Sequence, residues 1–130
     1  MSLNGITLAA SLTVNDLQRS EAWYRDILGF DVTERHEREG KVLAVSLKAG
    51  EVEILIAQDD GAKGADRVKG AGMSLRITTD QNIDELAQRI KSSGGTLETE
   101  PVEMPWGARV FRLRDPDGFL FAVTSPRKRG

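Results

Sequence analysis

The chain contains no cysteine, which excludes disulfides, thiolate metal ligands and cysteine nucleophiles together. No wholly apolar run approaches the roughly 20 residues needed to span a bilayer, and no basic segment followed by an apolar stretch opens the chain. A cytoplasmic protein with no membrane partner is expected. An electropositive excess is also missing: eighteen basic residues face twenty acidic ones, for a net charge of -2. A phosphate backbone demands the opposite balance, so nucleic acid is not an expected partner. The basic tail of Arg127, Lys128 and Arg129 reads as a solvated chain end. Histidine is nearly absent. The single imidazole, His36, sits in ERHEREG beside a turn and reads as a solvated surface residue.

What the chain does have is a repeat. Its 130 residues, 39% of them apolar, suffice for one compact domain over 1–130 and are too few for two independent cores. Within it, 6–58 and 73–125 follow one order: strand, amphipathic helix, then hairpin-linked strands. In the first module ITLAASLTV leads to Asp16, the helix LQRSEAWYRDIL and Gly29; in the second MSLRITT leads to Asp80, the helix NIDELAQRIKSS and Gly94. The glycine-rich stretch QDDGAKGADRVKGAG lies between them and has no apolar period. Residues 59–72 are therefore expected to be a mobile linker.

Periodicity places the elements. From Ile6 to Val14 the residues alternate, Ala10, Leu12 and Val14 on one face and Ala9, Ser11 and Thr13 on the other, which is the one-sided pattern of a sheet backed by helices. Asp16 or Asn15 is suited to cap the first helix, Leu17, Tyr24, Ile27 and Leu28 form its buried stripe, and Gly29 ends it. Trp23 and Tyr24 read as packing aromatics. Turns at Arg38-Glu39-Gly40 and Lys48 to Gly50 join the next strands. In the second helix Asn82 and Glu85 have capping-box spacing, with Ile83, Leu86, Ala87 and Ile90 as the stripe. Asp115-Pro116-Asp117-Gly118 reads as a hairpin turn between the last two strands.

The duplicated βαβββ order, with LTVNDLQRSEAWYRDILGF in the first module and PWGARVFRLRDPDGFLFAV in the second, resembles the vicinal oxygen chelate superfamily, which holds glyoxalase I, extradiol dioxygenases and bleomycin-resistance proteins. The resemblance implies an α+β fold of two tandem βαβββ modules, whose curved mixed sheets surround an open cleft. It also implies a homodimer whose modules pair within or across chains. Catalytic relatives hold a divalent metal with His or Glu on four strands. Carried onto this chain, those positions fall on Ala9, Glu53, Ser74 and Ala122. Only Glu53 can ligate, whereas a catalytic divalent site generally takes about three imidazole or carboxylate ligands. No metal and no other cofactor is expected.

The same alternation puts Thr7, Ala9, Ser11 and Thr13 on a cleft wall with Glu53 and Leu55; the second module adds Ser74, Arg76, Leu120 and Ala122. Trp106, between Pro105 and Gly107, reads either as a stacking surface at the cleft mouth or as an anchor at a dimer seam. Arg109 and Arg112 are candidates to meet an anionic group. Glu53 reads either as a general acid or base, or as one partner of a salt bridge to Arg76 or Arg112. Two functions follow. One is a metal-free protein of the bleomycin-resistance kind, binding a drug or metabolite in a dimer cleft. The other is a superfamily enzyme, a lyase, isomerase or dioxygenase-like protein, using Glu53 or an atypical metal site.

Overall fold

The computed structural model describes residues 1–64 and 67–127. Lys128 and Arg129 of the basic tail, and Ala65 and Asp66 of the linker, lie outside the described residues. The elements run β1 (Ala10–Val14), α1 (Leu17–Trp23), β2 (Asp31–Arg38), β3 (Lys41–Ala49), β4 (Val52–Gln58), β5 (Ser74–Thr78), α2 (Ile83–Ser92), β6 (Thr99–Glu103), β7 (Arg109–Arg114) and β8 (Leu120–Thr124). They build two four-stranded mixed sheets of identical topology, β1-β4-β3-β2 and β5-β8-β7-β6. In each, the first strand runs parallel to the last and the remaining pairs are antiparallel. The fold is α+β, with the βαβββ unit occurring twice.

Local chemistry sets the helix limits. The Asp16 side chain accepts the Arg19 amide at 3.2 Å, satisfying one of the donors left over at the start of α1. Asn82 does the same for Glu85 at 3.0 Å in α2. One π turn, Tyr24–Leu28, continues α1 to Gly29, whose φ of 87° takes the left-handed conformation that stops a helix. The sequence period does not distinguish that π turn from α-helix. At the first hairpin, Glu39 and Gly40 both have positive φ, 54° and 77°. The twist of that turn matches the strands it joins.

Strand β1 is shorter than its apolar alternation predicts. Ile6 and Leu8 continue the Leu12 and Val14 face, yet both are fully exposed. A strand needs a neighbour, and the parallel register pairs Ala10 with Ile54. Continuing that register brings Leu8 opposite Val52, where β4 begins. Thr7 and Ala9 lie in an exposed N-terminal arm that precedes the strand.

Both sheets turn the same kind of face inward. Leu12, Val14, Val45, Leu47, Ile54 and Ile56 from the first sheet form one cluster with Phe111, Leu113, Phe121 and Val123 from the second, and with Leu17, Tyr24, Ile83, Ala87 and Ile90 from the helices. Helix α1 packs on β3 and β4, and α2 on β6 and β7. The layering is sheet, helices, sheet. The Tyr24 ring meets Phe121 edge-on, with centroids 5.8 Å apart.

A polar clamp joins the modules beside that ring pair. The Tyr24 hydroxyl donates to Asp115 Oδ2 at 2.7 Å, and the amides of Asp117 and Phe119 donate to Asp115 Oδ1 at 2.9 and 2.8 Å. Asp117 accepts the Asn15 amide at 3.0 Å, and the Pro116 carbonyl accepts Arg19 at 3.2 Å. The DPDG turn thus holds the start of α1 across the module boundary. Burial raises the Tyr24 pKa, with the neighbouring Asp115 carboxylate adding to the shift. Burial likewise raises the Asp115 pKa, against the lowering effect of its hydrogen bonds.

The far end of the linker is tied down, contrary to the expectation of mobility. Lys69 is buried; its Nζ donates to Asn15 Oδ1 at 2.6 Å and lies 2.8 Å from Asp59 Oδ2. Two charges inside a low-exposure pocket outweigh a composition that suggests disorder. The Lys69 hydrogen bond, followed by the Gly61 amide, holds the Asp59 carboxyl below the usual carboxylate range. Stability from a depressed carboxyl is present above its unfolded pKa, about 3.9, and is lost as the pH falls through the folded value. Lys69→Met is therefore expected to lower the urea midpoint at pH 7 and to flatten the fall in stability between pH 5 and pH 3. Equal acid slopes for variant and parent would refute the pairing.

Candidate functional site

Because both helical faces turn inward, both opposite faces turn outward, and the candidate residues divide between them. On the first sheet Ser11 and Thr13 of β1 pair with Leu55 and Ala57 of β4, which pair in turn with Ser46 and Ala44 of β3. Glu53 pairs with Lys48. Ile54 and Ile56 are buried, and Glu53 and Leu55 occupy the alternate positions. His36 joins this face, its Nε2 2.9 Å from Ser46 Oγ. The Glu53 side chain is 62% exposed, with its carboxylate 3.9 Å from Lys48 Nζ. The ion pair that the sequence suggested with Arg76 or Arg112 is replaced by this contact, since both arginines belong to the other sheet.

On the second sheet the register sets three rows of side chains: Ser74, Leu120 and Arg114; Arg76, Ala122 and Arg112; Thr78, Thr124 and Val110. The last two rows line a cavity of about 410 Å³, together with Trp106, Ala108, Ser125 and Arg127. Every one of these residues comes from the second module except Arg127, which follows it. Ala108, Val110 and Ala122 are buried, with Met104 packed against them, and form an apolar floor. Trp106 stands at the tip of the β6–β7 hairpin, where the Gly107 amide donates to the Met104 carbonyl at 2.9 Å and Gly107 has a φ of 88°. The residue is 48% exposed.

The arginines differ in what they meet. Arg109 makes a two-pronged contact with Asp84 at 2.6 and 2.7 Å, and Arg114 donates to Glu98 at 2.7 Å and to the Gly118 carbonyl at 2.8 Å. Among the described residues, the Arg76, Arg112 and Arg127 side chains make no hydrogen bond or ion pair with the protein, and no carboxylate lines their cavity. Arg109, an anion-binding candidate from sequence, is thereby occupied.

Of the sequence candidates, Arg76, Trp106, Arg112 and Ala122 are brought together in this cavity. Ser74 and Leu120 lie one register step along the same face. Ser11, Thr13, Glu53 and Leu55 share the outward face of the other sheet. Thr7 and Ala9 are in the exposed arm. Thr78, Val110, Thr124 and Ala108 were not anticipated, although stepping by two from Arg76, Arg112 and Ala122 reaches the first three.

The four positions where the resemblance implies metal ligands do not make a chelate. Ala9 and Ala122 have no donor, Ser74 is an exposed hydroxyl, and Glu53 lies in the other sheet beside a lysine. Among the described residues no three His, Cys, Asp or Glu side chains are grouped to hold an ion.

Two helix-backed sheets of identical topology, each with its first strand parallel to its last, define a vicinal oxygen chelate architecture. The chain belongs to the Glyoxalase/Bleomycin resistance protein/Dioxygenase superfamily, whose family model matches residues 5–123. It is 32% identical over 114 residues to Glyoxalase 1 of Caenorhabditis briggsae, a match that covers 85% of this chain but 39% of that protein. The chain thus spans well under half the length of that relative. It is 30% identical over 112 residues to the Bacillus subtilis protein YwkD, with 82% of this chain and 86% of the relative covered. Among solved structures, a superfamily member from Sphaerobacter thermophilus superposes with a TM-score of 0.74 at 23% identity, covering 95% of this chain and 98% of the other, and shares the fold. No helix among the described residues is long and apolar enough to cross a membrane.

Proposed function

We propose that this protein is a cytoplasmic, metal-free member of its superfamily that binds a small organic drug or metabolite in a cleft completed by a second copy of the chain. The observation that carries the reading is a cavity with an apolar floor and polar rim that includes Ala122, one of the positions where the resemblance implies a metal ligand, with Ser74 one register step along the same face. A concave, largely apolar site with a few placed polar groups suits ligand binding. Support for a homodimer comes from the layering. Within one chain the two outward faces point away from each other, so a closed cleft needs the first sheet of another copy. The exposed Leu3, Ile6 and Leu8 of the arm add apolar surface for such a contact.

A metal-free enzyme using Glu53 is the competing reading. It has less support, because that carboxylate is exposed and sits beside Lys48. A thermal-shift screen of small molecules separates the two: a ligand at 100 times its dissociation constant adds about 2.7 kcal/mol of apparent stability. The proposal expects such a ligand to be recovered unchanged after prolonged incubation, and Glu53→Gln to leave its binding intact. Conversion of the ligand by the parent but not by Glu53→Gln would establish the enzyme instead.

A further inference from the structure

Resting on that binding reading, we propose that the cavity of the second sheet selects a planar aromatic anion, with a carboxylate or similar group held by Arg76 and Arg112 over Ala122 and the ring laid against Trp106.

The register carries the argument. Arg76 and Arg112 are the two cross-strand neighbours of Ala122. Strands lie about 4.8 Å apart, so the backbones of these arginines are about 10 Å apart with only a methyl group between them. Two long side chains rooted on either side of that gap can converge on a group seated above it. Guanidinium presents a rigid fork of N–H donors that matches the two oxygens of a carboxylate. The adjacent arginines show what this protein does when it needs a guanidinium neutralised: Arg109 has Asp84 and Arg114 has Glu98. Arg76 and Arg112 are given no such partner among the described residues, and Arg127 brings a third positive charge to the same lining.

The chain as a whole is acidic, at -2, so this local excess of positive charge is not a consequence of composition. A cationic ligand would meet like charge on both sides, with no carboxylate among the described lining residues to offset it. The ring preference follows from the remaining surfaces. The half-exposed Trp106 indole offers a stacking face at the rim, and the floor of Ala108, Val110 and Ala122 offers no polar group to a ligand body. The methyl group of Ala122, between the two arginines, leaves room above it for the ligand's own anion.

Three probes of one shape test this on the intact protein by isothermal titration at low salt: 1-naphthoate, naphthalene-1-methanol and 1-naphthylmethylammonium. The expected order is anion, alcohol, cation, with 1-naphthoate bound at least about tenfold more tightly than the alcohol. Arg76→Gln/Arg112→Gln is expected to weaken 1-naphthoate by about tenfold or more while changing the alcohol by less than about twofold. Trp106→Ala should weaken all three. Thermal unfolding and sedimentation of each variant confirm that fold and assembly are retained. Equal affinity for the three probes, or preference for the cation, overturns the charge selection and leaves the binding reading standing. If the double variant instead loses its self-association and keeps its affinity for 1-naphthoate, the arginines serve the interface between copies and the proposal is wrong. Failure of every naphthalene probe to bind at millimolar concentration would overturn the aromatic selection, while the binding reading stands or falls separately by the thermal-shift screen.

Discussion

Asp115→Ala is expected to destabilise the protein by about 3–5 kcal/mol, because two buried donors and one half-buried donor lose one acceptor at once and each unsatisfied buried group costs about 1–3 kcal/mol. Those donors are the Tyr24 hydroxyl and the amides of Asp117 and Phe119. The conservative Asp115→Asn keeps an oxygen for both amides and turns its NH2 toward the Tyr24 oxygen, which can accept. It should lie close to the parent at pH 7. The pH dependence separates the two explanations of any loss. Asp115 has a folded pKa raised by burial. A raised carboxyl contributes stability that is full below the unfolded pKa, about 3.9, and is lost as the pH climbs through the folded value. Asp115→Asn removes that loss, so its unfolding free energy should gain on the parent as the pH rises from 4 upward. Urea unfolding at a series of pH values reads both effects. A large loss in Asp115→Asn equal to that in Asp115→Ala would show that charge, and not hydrogen bonding, holds the clamp.

Phe121→Ala is expected to cost a further kind of energy, about 3–5 kcal/mol, by opening a cavity in the core where the modules meet. Phe121 is buried on the inward face of β8 and touches the Tyr24 ring. Its neighbour Ala122 belongs to the outward face and the cavity floor. Phe121→Leu conserves more of the volume and should cost less than about 1.5 kcal/mol. Unfolding in urea with an unchanged slope and a lowered midpoint is the expected signature. A cost near zero for Phe121→Ala would mean that the helices, and not the two inward sheet faces, supply the cohesion.

Much of this architecture can be read directly in the residues. The repeat of strand, capped helix and hairpins is visible because each element carries its own short-range signal: alternation at Leu12 and Val14, a cap at Asp16 and at Asn82, a left-handed glycine at Gly29. The outward placement of Glu53 and Leu55 follows from Ile54 and Ile56. What alternation alone leaves out is partnership. Ile6 and Leu8 alternate as well as Leu12 does, but both lie exposed ahead of β1, where continuing the β1–β4 register runs off the start of β4. The DPDG turn looks self-sufficient, and nothing local announces that its carboxylate receives a hydroxyl from 91 residues away. Lys69 sits in a stretch whose composition suggests disorder, and it is held there by Asp59 of the same stretch and by Asn15, 54 residues away.

The site is legible to a lesser degree for a related reason. Arg76, Trp106, Arg112 and Ala122 are all visible as outward or loop residues, and period two groups them. Which arginines are spent on ion pairs is a long-range fact: Asp84 and Glu98 claim Arg109 and Arg114 through contacts that spacing does not encode. Which sheet face meets which is equally remote from sequence, since the same two modules can be joined with their helical sides together or with their sheets edge to edge. The inward cluster decides between those arrangements here.

The central claim is that the family scaffold persists without its chelate. Its most direct test is the metal content of purified protein after incubation with excess Zn²⁺, Mn²⁺, Ni²⁺ or Fe²⁺ and exhaustive dialysis, read by inductively coupled plasma mass spectrometry. With Ala9, Ser74 and Ala122 in place of ligands, each ion should be retained at well under one equivalent per chain. Retention of one equivalent of any of them, abolished by substituting residues of the outward sheet faces, would contradict the account.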